Sequence, residues 1–214
     1  MKAEYGVYLV TQENLSEGRP TDEIVERAIA GGIDAVQLRE KRASARERYE
    51  LGLDLRERTR QSGVDLLVND RVDIAAAIDA DGVHLGAEDL PVPVAREILG
   101  PDAVVGRSVS TVETARAAEE RGADYLGIGA VFPTTSKDVT EEQNAIGVER
   151  VREIAAAVSI PTVGIGGVTA DNAAEVVAAG AGGVAVISAI TAADDPEAAA
   201  SELREAVSRG RSER

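Results

Sequence analysis

The sequence predicts a single α/β domain folded as a (β/α)8 TIM barrel, and three observations carry that expectation. Eight short segments rich in Val, Ile and Leu alternate with eight segments of helical period along the 214 residues. The strand-like segments are near-continuous in apolar character rather than strictly alternating, as suits parallel strands covered on both faces. A weak internal repeat recurs where helix gives way to strand: "AGGIDAV" (30–36), "DADGVHL" (79–85), "RGADYLG" (121–127) and "AGAGGVAV" (179–186). In each, glycine ends a helix and an apolar run restarts. Eight units with no sign of a second domain favour a closed barrel over a doubly wound open sheet. The barrel is expected over residues 1–208, with 209–214 a disordered C-terminal tail.

The elements follow in order. "YGVYLVT" (5–11) is the first strand, and Thr21-Asp22-Glu23 opens a helix over 21–30. "DAVQLRE" (34–40) precedes an arginine-rich helix at 44–61 whose charges read as a solvated, ion-paired face. "DLLVN" (65–69) leads to 71–79, and "GVHLG" (82–86) to 92–99. "AVVGRS" (103–108) is followed by a helix at 111–121, started by Thr111 with Thr114. "DYLGIGAVF" (124–132) leads to 147–157, and "PTVGIGG" (161–167) to 170–179 behind Thr169-Ala170-Asp171. "GGVAVIS" (182–188) and a helix at 196–208 complete the count.

Composition excludes several classes. A net charge of -15 argues against nucleic acid, whose phosphates reward a basic surface. No cysteine is present, so neither disulfides nor thiolate metal sites can form. No apolar run approaches the roughly 20 residues of a membrane span, and the N-terminus lacks a signal-peptide pattern, so a cytoplasmic protein is expected. Only Lys2, Lys41 and Lys137 are lysines among 23 basic residues. Such an acid-rich, lysine-poor surface suits a protein kept soluble in high salt, where charge repulsion is screened. It also makes two internal lysines worth explaining. The sequence leaves the oligomeric state open and is compatible with a homo-oligomer.

Barrel chemistry sits at the C-terminal ends of the strands. There the second strand ends in Gln37-Leu38-Arg39-Glu40-Lys41, the third in Asn69-Asp70, and the fourth runs on to Glu88-Asp89. The fifth ends in Gly106-Arg107-Ser108, the sixth in "FPTTSKD" (132–138), and the last two in "GIGG" (164–167) and "VISAI" (186–190). Two carboxylates converging on one mouth repel unless a cation lies between them, and oxygen-only ligation fits Mg²⁺. An acid–base pair, or two helix caps, are the other uses for Asp70 and Asp89. Arg39, Lys41 and Lys137 supply positive charge to hold a polyanion against the field of an acidic protein. Gly166 and Gly167 let backbone N–H groups approach a phosphate at the seventh and eighth strands, where barrels commonly bind one. His84, the one histidine, cannot build a triad or a multi-histidine metal site. It reads as a packed, hydrogen-bonded barrel residue in preference to a general base.

These strand ends, in this order, resemble the thiamine phosphate synthase family. The motifs are "VQLREK" (36–41), "VND" (68–70), "DGVHLGAEDL" (81–90), "GRSVS" (106–110), "GADYLGIGAVFPTTSK" (122–137), "VGIGGVTADNA" (163–173) and "VISAI" (186–190). The resemblance implies a Mg²⁺-dependent transferase joining a hydroxymethylpyrimidine diphosphate to a thiazole phosphate through a pyrimidine carbocation, releasing pyrophosphate. It implies that Gln37, Leu38, Arg39, Glu40, Lys41, Asn69, Ser108 and Lys137 contact the pyrimidine diphosphate. Arg39, Lys41, Ser108 and Lys137 would be the catalytic members of that set. Asp70 and Asp89 would hold Mg²⁺, and Thr134, Thr135, Ser136, Gly167, Ile187 and Ser188 would receive the thiazole phosphate. Ala87, Ser110, Ser136 and Ile146 depart from residues common in the family, but none replaces a cation or a metal ligand. A thiazole tautomerase-type isomerase or a non-catalytic phosphate-binding barrel would not need the combination of Asp70, Asp89, Lys41 and Lys137.

Overall fold

The computed structural model describes residues 3–135 and 145–214. Eight parallel strands close in the order β1 to β8: β1 (Val7–Val10), β2 (Ala35–Leu38), β3 (Asp65–Asn69), β4 (Gly82–Leu85), β5 (Val104–Val109), β6 (Tyr125–Gly129), β7 (Thr162–Ile165) and β8 (Gly183–Val186). Between and after them run α1 (Thr21–Ala30), α2 (Ala45–Ser62), α3 (Val72–Ala77), α4 (Val92–Leu99), α5 (Val112–Glu120), α6 (Gly147–Ala157), α7 (Ala173–Ala178), the short α8 (Ser188–Thr191) and α9 (Pro196–Ser212). Helices α1, α4 and α6 have the limits expected from periodicity. Six strands are shorter than the runs expected for them, β3 has the expected limits, and β5 is as long as expected but shifted by one residue.

Side-chain capping accounts for one of the helix starts that the sequence signalled, at Thr111, while α1 at Thr21 has none and the box on α2 was not signalled. Ser44 and Glu47 form a reciprocal capping box on α2, and Thr111 with Thr114 does the same on α5. The seventh helix starts later than Thr169-Ala170-Asp171 suggested. Asn172 Oδ1 accepts from the Thr169 N–H at 2.9 Å, so these residues make a turn before α7. A 3-10 turn at Glu13–Leu15 and the α8 turn carry no helical period and were not expected.

The expected tail over 209–214 is instead structural. Helix α9 continues to Ser212, and Gly210 lies so close to α7 that an added Cβ would sit 2.4 Å from the Ala174 carbonyl oxygen. Arg211 Nη2 donates to the Gly182 carbonyl at 2.7 Å, and Arg214 Nε to the Val177 carbonyl at 2.9 Å. These arginines cap the carbonyl ends of the last βα unit, where orphan acceptors need donors.

Although the strands look uniformly apolar, their side chains divide by the period of two into separate cores. Val7, Leu9, Val36, Leu38, Leu66, Val68, Val83 and Leu85 face outward and pack beneath the helices. Tyr8, Val10, Ala35, Leu67, Val104, Tyr125, Val163 and Ala185 face inward and fill the barrel. In each strand this alternation decides which residue of a C-terminal motif reaches the mouth. No helix among the described residues is long and apolar enough to cross a membrane.

Candidate active site

Along β2 and its extension the period of two sorts the "QLREK" motif. Gln37 and Arg39 point inward, both buried, and line a recess at the centre of the mouth with Tyr8, His84, Gly127 and Ile187. Leu38 points outward and belongs wholly to the helix-facing core, with Gly52 of α2 packed against it. Glu40 also points away from the mouth. Its buried carboxylate accepts from the Glu13 N–H at 2.8 Å and from the Thr21 hydroxyl at 3.1 Å, tying β2 to the start of α1. The side chains of Leu38 and Glu40 are therefore outside the set gathered at the mouth. Arg39 is held by Gln12, whose side-chain oxygen accepts from Nη1, while the Arg39 N–H donates to Thr11 Oγ1 at 3.1 Å.

The recess opens into a cleft of about 1480 Å³ lined by Lys41, Asn69, Asp70, Asp89, Ser108, Thr134, Thr135, Gly167, Ile187 and Ser188. Every described member of the two expected substrate sets, apart from the buried side chains of Leu38 and Glu40, borders this cleft or the recess beneath it. Ser136 and Lys137 lie outside the described residues. The β7 loop approaches the β6 loop so closely that a Cβ on Gly167, at φ 64°, would meet Phe132 and Pro133 at 2.7 Å. Asn172 pins this loop by donating to the Gly167 carbonyl at 3.0 Å.

Asp70 and Asp89 do not cap the helices that follow them. Neither α3 nor α4 has a side-chain cap, and Asp89 Oδ2 instead accepts from the Gly86 N–H at 2.5 Å. The Asp70 N–H donates to the His84 carbonyl at 2.9 Å, and its backbone is left-handed at φ 64°. That conformation costs a non-glycine residue energy but is best tolerated by Asp and Asn. It turns the carboxylate back over the barrel mouth, where Lys41 Nζ lies 3.5 Å from Oδ2. Burial and then Asp89, which shares a hydrogen bond with it and repels its charge, raise the Asp70 pKa above the ordinary range, while Lys41 opposes the shift.

Two carboxylates this close repel each other, so the site favours added positive charge. Among the described residues no group of three or more His, Cys, Asp or Glu side chains could hold a metal. A pair of carboxylates could hold a cation such as Mg²⁺ only if water and phosphate oxygens completed its shell. A cation absent from the sequence-based set, Arg107, lies beside this pair. Its Nη2 donates to the Ala87 carbonyl at 3.1 Å; burial lowers its pKa and the Asp89 charge opposes that. It occupies an outward-facing position within β5, and nothing in "GRS" distinguishes it from a solvated arginine.

Sequence reasoning also missed the two tyrosines inside the barrel. Tyr8 and Tyr125 are almost fully buried, with their phenols 3.0 Å apart, and burial raises both pKa values so that they stay protonated. Space for them comes from glycine. A Cβ on Gly106 would lie 2.2 Å from the Tyr125 ring, and one on Gly127 3.0 Å from His84 Cε1. His84 is buried and hydrogen-bonded through both ring nitrogens, as expected of a structural barrel histidine.

The fold and the site define a (β/α)8 barrel whose mouth combines a dicarboxylate pair, basic side chains and a glycine loop, a class built to handle phosphorylated small molecules. Residues 7–190 match the model of the thiamine monophosphate synthase family. A thiamine-phosphate synthase of Natronomonas pharaonis is 65% identical over 207 residues, covering 97% of each chain. One of Haloarcula marismortui is 65% identical over 209 residues, covering 97% of this chain and 99% of the relative. The solved thiamine phosphate pyrophosphorylase of Pyrococcus furiosus superimposes with a TM-score of 0.89 at 45% identity, covering 98% of each chain. The chain belongs to the thiamine monophosphate synthase family.

Proposed function

We propose that the cleft joins 4-amino-2-methyl-5-hydroxymethylpyrimidine diphosphate to 4-methyl-5-(2-phosphooxyethyl)thiazole, giving thiamine phosphate and pyrophosphate. The observation that carries this reading is the single mouth shared by the Lys41–Asp70–Asp89 group and the Thr134–Gly167–Ser188 side. One side suits a diphosphate with its cation, the other a monophosphate, and the recess between them suits a flat ring.

In the reaction the bond from the pyrimidine methylene to the diphosphate oxygen breaks with both electrons leaving on oxygen. The thiazole nitrogen lone pair then forms the new C–N bond to the carbocation. No proton has to be taken from either partner, so the reaction does not require a general base. Asp70 and Asp89 would hold Mg²⁺, which when bound neutralises charge on the diphosphate. Lys41 and Arg39 add fixed positive charge where the leaving group gains negative charge. Asn69 and Ser108 orient the pyrimidine half, and Thr134, Thr135, Gly167, Ile187 and Ser188 orient the thiazole phosphate. Ser136 and Lys137 complete the two sets by sequence.

The test is to incubate the purified chain with both halves and Mg²⁺ in high salt and follow thiamine phosphate. Binding of both halves without product would overturn the synthase reading.

A further inference from the structure

Single apolar side chains on a surface are ordinary, but in this chain the large ones gather. Among the described residues they are Tyr49, Leu53, Leu90, Val94 and Ile98, between 37% and 52% exposed, and all five flank α3. On α2, Tyr49 and Leu53 share one stripe with Arg56 and Arg60, at i, i+4, i+7 and i+11. Arg56 bonds to Asp81 and Arg60 to Asp79, residues that follow α3, so this stripe is turned toward α3. On α4, Arg96 reaches the Gly122 carbonyl and Asp124, past the end of α5, which leaves Leu90, Val94 and Ile98 on the opposite, α3 side. Between these ridges α3 is six residues long, about 9 Å, and shows Asp73, Ala76 and Ala77 to solvent. The flank is a shallow valley with an alanine floor and two apolar walls. We propose that a second copy of this chain docks on it, forming a two-fold homodimer.

Shape and charge both favour a second copy. Two ridges around a valley are self-complementary: a ridge of each copy enters the valley of the other, and a two-fold axis makes both contacts at once. Charge divides between the ridges. Residues 41–50 hold Lys41, Arg42, Arg46 and Arg48 against Glu47 and Glu50, whereas residues 86–102 hold Glu88, Asp89, Glu97 and Asp102 against Arg96 alone. In a chain of net charge -15 the start of α2 is thus a basic exception, and α4 carries the acidic surface that matches it. A two-fold axis parallel to the barrel sets α2 of one copy against α4 of the other, like ends together. Arg42 and Arg46, at the mouth end of α2, then lie opposite Glu88 of the partner subunit, at the mouth end of α4. An axis across the barrel would set α2 on α2 and α4 on α4, basic on basic and acidic on acidic. Charge complementarity therefore selects the parallel axis, and burial of the apolar ridges supplies the driving force.

Sedimentation equilibrium of the full chain over a concentration series should give twice the 22.3 kDa of one copy. Leu53→Glu and Ile98→Glu each place a charge on one wall, at exposed positions that the barrel core does not use. Each should shift the protein to single chains while its far-UV circular dichroism stays that of the parent. The chain has no cysteine, so introduced ones report without background. A mixture of Leu53→Cys and Val94→Cys chains treated with a short bis-maleimide should yield a crosslinked pair, and neither variant alone should. Crosslinking of either variant with itself, or none in the mixture, would overturn the parallel two-fold arrangement. A wild-type chain that stays single at every concentration would overturn the dimer and leave the flank to a partner of another kind. A dimer that both glutamate variants leave intact would place the contact elsewhere and equally sink the proposal. None of these readouts depends on whether the chain makes thiamine phosphate.

Discussion

Gly106→Ala should be among the most damaging single-methyl changes in this protein. The added Cβ would lie 2.2 Å from Cε1 and Cζ of Tyr125 and 2.5 Å from its hydroxyl. Tyr125 cannot swing aside, because Tyr5, Tyr8 and His84 surround it with ring centroids 5.5, 6.1 and 5.5 Å away. Overpacking of this kind costs about 1–3 kcal/mol. Displacing the ring also loosens its hydrogen bonds to Tyr8 and His84, each worth about 1 kcal/mol. The sum is about 3–5 kcal/mol, and a chain of this size loses roughly 2–4 °C per kcal/mol, so Tm should fall by roughly 6–20 °C. Thermal unfolding followed by circular dichroism in high salt measures it. The cause is isolated by repeating the change in a Tyr125→Leu background, where the methyl no longer meets a ring and should cost much less. If Gly106→Ala costs less than about 1 kcal/mol, or costs the same in both backgrounds, the packing account of the barrel floor is wrong.

Three further outcomes are expected. Asp70→Asn should abolish Mg²⁺-dependent turnover while leaving thiazole phosphate binding largely intact. In metal-free protein the raised pKa means that ionising Asp70 costs stability as pH climbs from the ordinary carboxylate value through the folded one; Asp70→Asn should therefore raise the neutral-pH Tm in chelator and remove that loss of Tm with rising pH. Lys41→Ala should lower kcat/KM by the equivalent of about 2–4 kcal/mol of transition-state stabilisation. The half-exposed pair with Asp70 is worth about 1 kcal/mol or less to folding, so urea denaturation should barely change. Deleting 209–214 should lower Tm by several degrees, because it strips Arg211, Arg214 and the Gly210 contact from the last βα unit; an unchanged Tm would return these residues to the status of a loose tail.

The alternation of apolar runs with helical periods, the glycine restarts and the cap at Thr111 are local features. They determined the barrel and the order of its elements without any knowledge of distant contacts. The strand-end rule also pointed to the mouth, because in a barrel the end of a strand and the active rim are the same place. Periodicity could not say which residue of "QLREK" looks inward, since Leu38 and Glu40 are turned outward only by the register of β2 between β1 and β3. Nor could it show that Asp70, at φ 64°, faces Asp89 and Lys41 rather than capping α3. Tyr8, Gln37, His84, Ser108 and Tyr125 come from five strands, so their shared hydrogen bonds exist only once the sheet closes. The same holds for α9, whose last turn is stabilised by carbonyls of residues 177, 181 and 182 rather than by its own sequence. Local chemistry thus specified what each segment could become, and closure of the barrel decided which side chains would meet.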